Sequence, residues 1–345
     1  MKPFLEALRE RILMTDGSIG AELYARGIFV NRCFDELVFG EEKLVWQIHQ
    51  DFFRAGAEAL TTNTFGANRV KLASFGLEGK LEAVNKKAVE LCKQVSHEAA
   101  YVLGAVGPLW RERVAPKGGL PAEQAEEIFA EQARALAAGG ADAISLEGFY
   151  DLPEILAAIR AAKATGLPVL AHMAFEALGV EGQEIGEPVA VAKQLVHAGA
   201  DLIGVYNGGG PQPALDTLSE IHEALPDLPL SAKPSTGAPE VQEGRRFLMA
   251  TPEFMAEMGR RYAQKGARLV GGGDGVTPAM IKDMTDYMRT LSPRHRPLEI
   301  LEDAAPEVRP LPRVPLAEKG EWGRILAEGK FAVSVELDPP PGLDP

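Results

Sequence analysis

Residues 268–278 read R-L-V-G-G-G-D-G-V-T-P. Leu269 and Val270 have strand character, and Gly271, Gly272, Gly273 and Gly275 surround a single carboxylate, Asp274. Thr277 then precedes Pro278 at the head of a helical pattern. Threonine suits an N-cap because its hydroxyl accepts an otherwise orphaned N–H, and proline suits the next position because its missing N–H would have no partner there. The stretch therefore reads as strand, glycine turn and helix start. Glycine tolerates positive φ and lets other atoms come close to the main chain. A packing turn and a ligand-facing turn are both consistent with this stretch alone.

Outward from this point the same unit recurs. Short β-rich runs lie at 12–16, 59–64, 101–106, 143–147, 168–173, 202–206, 228–233 and 268–272. Helical patterns fall between them at 41–55, 77–99, 122–138, 152–164, 188–197, 213–225, 252–264 and 278–291. A faint repeat supports the count: Gly56-Ala57, Gly140-Ala141, Gly199-Ala200 and Gly266-Ala267 precede the second, fourth, sixth and eighth runs. Each pair reads as a helix ending on a left-handed glycine and turning into a strand. Eight βα units in about 290 residues have the size of a TIM (β/α)8 barrel, an α/β fold. An open doubly wound sheet is the alternative.

The 345 residues carry 36 Lys and Arg against 49 Asp and Glu, a formal charge of -13, which repels nucleic-acid backbones and anionic membrane surfaces alike. Neither is an expected partner. No apolar run approaches the roughly 20 residues needed to span a bilayer, and the first eleven residues mix charges instead of forming a signal-peptide core. A cytoplasmic location is expected. The two cysteines, Cys33 and Cys92, lack the pairing of a disulfide framework, zinc ribbon or redox motif.

After residue 291 the character changes. Pro293, Pro297, Pro306, Pro310, Pro312 and Pro315 punctuate a charged stretch with no apolar period. The expected organisation is a barrel over 1–295, a Pro-rich linker over 296–322 and the truncated start of a second domain over 323–345. In that last part, 323–328 reads as a helical turn and 331–337 as a strand.

In such a barrel ligands bind at the carboxyl ends of the strands. Those ends carry Asp16-Gly17, Asn63-Thr64-Phe65, Gly107-Pro108, Glu147, His172, Asn207, Lys233 with Ser235, and Gly272 to Asp274. Glu147 ends a buried strand and needs a cation, an amide donor or a ligand amine to offset its desolvation; an internal ion pair and a ligand-binding role are both open. His172 reads as a metal ligand, a base or a histidine bonded to a neighbouring strand. Lys233 reads as a Schiff-base lysine or as a paired one. Cys33, in the first βα loop, reads as a nucleophile or a small packed hydrophobe, and Cys92 as core.

The segments T-D-G-S-I-G-A-E-L at Thr15 to Leu23, T-N-T-F-G-A-N at Thr62 to Asn68, Gly107-Pro108, L-E-G-F-Y-D at Leu146 to Asp151, G-V-Y-N at Gly204 to Asn207, and G-G-G-D-G-V-T-P together resemble the homocysteine S-methyltransferase barrel. The likeness runs through all eight strand ends. The tail F-A-V-S-V-E-L-D-P-P is similar to the opening strand of methylenetetrahydrofolate reductase, with Glu336 at that family's acidic position. This order suggests a bifunctional fusion, with the reductase domain as partner. The resemblance implies methyl transfer to the thiol of homocysteine, giving methionine, within one-carbon metabolism. The substrate-binding positions it implies are Asp16, Gly17, Asn63, Phe65, Glu147, His172 and Ser235.

The same resemblance implies zinc held by three cysteines, one ending the sixth strand and an adjacent pair after the eighth. Here those positions carry Asn207, Gly273 and Asp274. Glycine has no ligand atom, and an amide and a carboxylate do not replace soft thiolates, so no bound metal is expected. Ala21 and Gly148 stand where the family usually has threonine, and Ser235-Thr236 replaces an Asn-Ala pair. These departures gather at the barrel mouth. Three readings follow: a methyltransferase using a small-molecule methyl donor, a zinc-free barrel binding an amino-acid-like ligand, and a non-catalytic partner domain for the fused reductase.

Overall fold

The computed structural model describes residues 1–29, 31–109, 120–175, 186–207, 209–237, 240–242, 245–247, 250–290, 324, 327 and 328. Residues 1–292 form one compact unit. The expected linker, and the expected second-domain segment apart from Arg324, Ala327 and Glu328, lie outside the described residues.

Eight parallel strands make the first unit: β1 (Leu13–Met14), β2 (Ala59–Thr61), β3 (Tyr101–Val106), β4 (Ala143–Phe149), β5 (Val169–Met173), β6 (Leu202–Asn207), β7 (Leu230–Pro234) and, after the hairpin β8 (Glu240–Gln242) and β9 (Arg245–Phe247), β10 (Ala267–Val270). Their order is β1-β10-β7-β6-β5-β4-β3-β2, and a parallel bridge between Thr15 and Ala59 joins the two ends. The result is a TIM barrel. The open-sheet alternative is excluded by that circular pairing.

Twelve α-helices and one 3-10 turn, Glu78–Lys80, accompany the strands among the described residues. The first five are α1 (Phe4–Glu10), α2 (Ile19–Ala25), α3 (Leu37–Gly40), α4 (Glu42–Arg54) and α5 (Arg69–Ala73); then follow α6 (Leu81–Ser96), α7 (Ala122–Gly139), α8 (Leu152–Lys163), α9 (Pro188–Ala198), α10 (Pro211–Ala224), α11 (Pro252–Gln264) and α12 (Pro278–Thr290). Gly56, Gly140, Gly199 and Gly266 have φ of 103°, 91°, 109° and 86°, the left-handed helix ends that the repeat predicts. No helix among the described residues is long and apolar enough to cross a membrane.

Alternation along the strands divides the core in two. Ile144 and Leu146 of β4 face the helices, whereas Ala143 faces the barrel interior with Leu13, Leu103, Leu170, Leu202 and Leu269 from other strands. That inner layer is sealed from below by α1, which the charge-rich N-terminal sequence did not reveal. Phe4, Ala7 and Leu8 bury into it, the Phe4 ring sits edge-on to Tyr101 at 5.2 Å, and the Tyr101 hydroxyl donates to the Lys2 carbonyl at 2.8 Å. Burial of Phe4 and Leu8 contributes about 1.5–3 kcal/mol each.

The glycine stretch closes the barrel. Thr15 N–H donates to the Val270 carbonyl at 2.8 Å, Gly272 N–H to Asp16 at 3.0 Å and Ser18 N–H to Val276 at 3.1 Å, so β1 and β10 meet by main chain alone. A Cβ on Gly271 would lie 2.7 Å from the Thr15 carbonyl oxygen and 2.8 Å from that of Asp16, and one on Gly17 would lie 2.3 Å from that of Val276. These glycines are required by backbone meeting backbone at the seam. Because backbone cannot move aside as a side chain can, Gly271→Ala is expected to cost about 1–3 kcal/mol or more, while Gly79→Ala, which meets nothing within 4 Å, stays within about 0.5 kcal/mol. Urea denaturation of the two variants beside the parent checks this.

Candidate active site at the barrel mouth

The carboxyl ends of the strands surround a cleft of about 240 Å³. Gly17 and Ser18 line it from the β1–α2 turn, Phe34 and Asp35 from the next loop, Thr62 to Phe65 from the end of β2, Glu147 and Tyr150 from β4 and its turn, Tyr206 from β6 and Asp274 from the glycine turn. Two hydrogen bonds hold the Phe34 loop over the cleft: Asn63 Nδ2 donates to the Phe34 carbonyl at 2.7 Å, and Gly66 N–H to Asp35 Oδ1 at 2.8 Å. Phe65 lies stacked with Tyr206 at 6.5 Å and 20° between planes, and Lys71 Nζ sits 4.8 Å above its ring. Gly107 leaves room for that ring, since a Cβ there would come within 2.7 Å of it. A wider vestibule of about 610 Å³ adjoins the cleft, sharing Gly20, Phe34, Asp35, Gly66 and Asp274 and adding Tyr24, Val70 and Phe75.

Beneath the cleft lies a buried polar layer. Lys233 Nζ donates to Glu147 Oε1 at 2.6 Å and to Thr61 Oγ1 at 3.1 Å, and Ser145 Oγ donates to the same Glu147 oxygen at 2.8 Å. Thr61 passes the chain on, its hydroxyl donating to Asp16 Oδ1 at 2.6 Å and its N–H to Asp16 Oδ2 at 2.7 Å. Burial pushes the Asp16 carboxyl up to about 6, against the attraction of Lys233 and the Thr61 hydrogen bonds, which favour its charged form. Asp16 is thus a strut between β1 and β2, and its side chain does not line the cleft. His172 also lies below it: Nδ1 faces the Leu146 carbonyl at 3.2 Å and Nε2 faces Ser231 Oγ at 2.9 Å. A carbonyl only accepts, so the proton belongs on Nδ1, and the Ser231 hydroxyl donates to Nε2. Burial lowers the His172 pKa to about 4.

Of the other positions singled out from sequence, Gly17, Asn63, Phe65, Glu147 and Asp274 come together at the cleft. Ser235 follows β7, where its Oγ accepts from Gly237 N–H at 3.3 Å. Asn207 ends β6, opposite Pro234. Gly273 N–H donates to the Pro234 carbonyl at 2.8 Å, and Thr236 N–H to the Asp274 carbonyl at 3.0 Å, so the glycine turn is tied to the end of β7. Cys33 lies 4.0 Å from Asp35, and burial, then that carboxylate, raises its thiol pKa. Cys92 is fully buried against His49, with Sγ 3.6 Å from Nε2, as the core reading expects. Sequence reading overlooked Ser18, Phe34, Asp35, Tyr150 and Tyr206 as cleft residues. Tyr206 had a signal, because Leu202, Gly204 and Tyr206 alternate along β6.

A parallel barrel with a polar cleft at the carboxyl ends of its strands defines a TIM-barrel protein whose candidate ligand site lies where such barrels place theirs. The profile of the family described as homocysteine S-methyltransferase matches residues 13–288, and the chain belongs to that family. It is 29% identical over 301 residues to a methionine synthase of Mycobacterium tuberculosis, covering 81% of this chain and 25% of that protein. The chain thus spans about a quarter of the methionine synthases it matches. It is 29% identical to betaine–homocysteine S-methyltransferase 1 of Mus musculus, across 94% of this chain and 80% of the other. S-methylmethionine–homocysteine S-methyltransferase BHMT2 of Rattus norvegicus is 30% identical, across 94% and 87%. The metallated homocysteine methyltransferase MmuM of Escherichia coli superposes with a TM-score of 0.69 at 23% identity, covering 83% of this chain and 99% of that structure, a likeness of fold.

The buried histidines set a pH dependence. His49 and His172 both have pKa values lowered to about 4 by burial, from an ordinary 6.5, so the unfolded chain binds more protons between those limits and stability falls as pH drops through them. Asp16, raised to about 6, and Glu154, raised to about 7 by burial and secondarily by Asp151, act in the opposite sense. Each histidine is expected to cost about 2 kcal/mol between pH 7 and pH 5. Urea midpoints of His49→Gln at the two pH values are therefore expected to show that much less acid destabilisation than the parent.

Proposed function

We propose that the chain binds a homocysteine-like α-amino acid in the mouth cleft and transfers a methyl group to its sulfur. Family membership supports the reaction class. The observation that carries the ligand is Glu147. Its side chain is 4% exposed yet lines the cleft, Oε1 is taken by Lys233 and Ser145, and Oε2 has no hydrogen-bond partner among the described residues. A buried carboxylate oxygen facing a cleft suits an ammonium group, and a charge-assisted hydrogen bond there is worth about 1.5–3 kcal/mol. Asn63 and the Gly17-Ser18 turn complete the amino-acid end.

Zinc is the group that the family resemblance implies, and positions 207, 273 and 274 do not fit it. Gly273 has no side-chain donor, and Asn207 and Asp274 are an amide and a carboxylate where a soft ion takes thiolates. Among the described residues no group of three or more His, Cys, Asp or Glu side chains is placed to hold a metal ion. Without zinc, the acceptor thiol ionises by itself. Its proton goes to solvent, the sulfur lone pair forms the S–CH3 bond, and the bond from methyl to donor breaks with its electron pair leaving on the donor. With an ordinary thiol pKa of about 8.5, a few per cent is thiolate at pH 7.

The rate of methionine formation, followed with an isotopically labelled methyl donor, is therefore expected to rise about eightfold from pH 7 to pH 8 and to level off above the thiol pKa. Metal analysis of protein purified without chelator is expected to find no stoichiometric zinc, and the triple variant Asn207→Cys, Gly273→Cys, Asp274→Cys to gain zinc and a flatter pH profile. Glu147→Gln is expected to weaken calorimetric binding of L-homocysteine about tenfold or more. Stoichiometric zinc in the parent, or unaltered affinity in Glu147→Gln, would contradict the reading. The lack of a side-chain donor at Gly273 motivates one other reading, a barrel that binds the amino acid without catalysing transfer. It predicts homocysteine binding with no methionine formed at any pH.

A further inference from the structure

We propose that Lys233 is a positioning residue, fixing from behind which oxygen of Glu147 a ligand meets and thereby setting the preference of the cleft for an ammonium-bearing ligand. The inference rests on the reading of the cleft as an amino-acid site and deepens it.

Lys233 is itself 1% exposed and does not line the cleft; it reaches Glu147 and Thr61 from β7 across the barrel interior. Its ammonium lies 5.7 Å from the Tyr206 ring centroid, so an aromatic wall of the cleft covers it. Two donors, Lys233 Nζ and Ser145 Oγ, converge on Oε1, which anchors that oxygen and leaves Oε2 without a hydrogen-bond partner among the described residues of a carboxylate that lines the cleft. The lysine also decides the charge of the centre. Asp16, Glu147 and Lys233 are the ionisable side chains of this connected network, and with all three charged they sum to one negative charge. Without Lys233 two carboxylates would face one another through Thr61 with no cation between them, and Glu147 would lose the partner that offsets its burial. A Schiff-base role suits Lys233 poorly, because its nitrogen is committed to two acceptors and covered from the cleft.

Positioning and mere support of the fold are separated by ligand discrimination. The probes are L-homocysteine and 4-mercaptobutanoate, which lacks the amino group, each titrated calorimetrically into the parent, Lys233→Met and Lys233→Arg. In the parent, homocysteine is expected to bind about tenfold or more tightly than its deaminated analogue. In Lys233→Met this ratio collapses toward unity, and in Lys233→Arg most of it is recovered. A Lys233→Met protein that folds and keeps the parent ratio overturns the proposal. Should Lys233→Met fail to fold, Lys233→Met/Glu147→Gln, which removes both charges, and Ser145→Ala, which removes only the second donor, take its place. Ser145→Ala is then expected to lower the ratio partway, and an unchanged ratio in Ser145→Ala overturns the proposal. Crystal structures of the ligand-free variants provide a readout that needs no binding. The Glu147 carboxylate is expected to swing from its parent position in Lys233→Met, and an unmoved carboxylate counts against Lys233 even if the parent binds neither probe. Absence of binding by the parent sinks the amino-acid reading of the cleft instead, so the two failures are distinct.

Discussion

The 2.6 Å contact between Lys233 and Glu147 is the interaction on which the mouth of this barrel depends. Taking a carboxylate and an ammonium out of water costs several kcal/mol per ion, and only close geometry with further hydrogen bonds offsets it. Here Thr61 and Ser145 provide those bonds, and Asp16 continues the chain to β1. One connected set of polar groups therefore ties β1, β2, β4 and β7 across the interior. An apolar layer of the same volume would hold the strands at least as well. A costly polar layer just beneath a cleft accords with a binding role better than with stability.

The rest of the architecture keeps that layer in place. Below it, α1 and the inward leucines fill the barrel and exclude water from the amino ends of the strands. At the seam, Gly271, Gly272 and Gly17 let β1 and β10 close by main-chain hydrogen bonds, which fixes the direction of the Gly17-Ser18 turn into the cleft. His172, neutral and bonded on both ring nitrogens, links β4, β5 and β7 in the same layer. Gly204 makes room for it, since a Cβ there would lie 2.3 Å from the imidazole ring.

Most of the barrel was legible in the sequence because strand runs, helix periods and left-handed glycines are local signals. Its boundaries shifted where the signal was composition alone. The apolar run beginning at residue 228 becomes strand only at Leu230, and the run 59–64 stops at Thr61 because Thr62 to Thr64 bend into the cleft wall. Helix α1 went unseen because its apolar face, Phe4, Ala7 and Leu8, is three residues in a charged background. The glycine stretch was legible as a turn, while its purpose, main chain against main chain, is a contact between residues about 255 positions apart that no local pattern encodes. At the site, Glu147 was legible as a buried carboxylate in need of a partner. That the partner is Lys233, one of the two options left open for each residue, required the register of β4, β5, β6 and β7. Phe34 and Asp35 belong to the cleft only because Asn63 and Gly66 hold their loop there, which is tertiary information.

The proposed reading is a barrel that takes an amino acid by its ammonium end at Glu147. A crystal structure grown with L-homocysteine addresses this most directly. The account predicts the ammonium nitrogen within hydrogen-bond distance of Glu147 Oε2, with Lys233 and Ser145 still on Oε1 and no metal ion on the sulfur. Homocysteine bound elsewhere, with its amino group away from Glu147 or its sulfur on a tetrahedral ion, would contradict it.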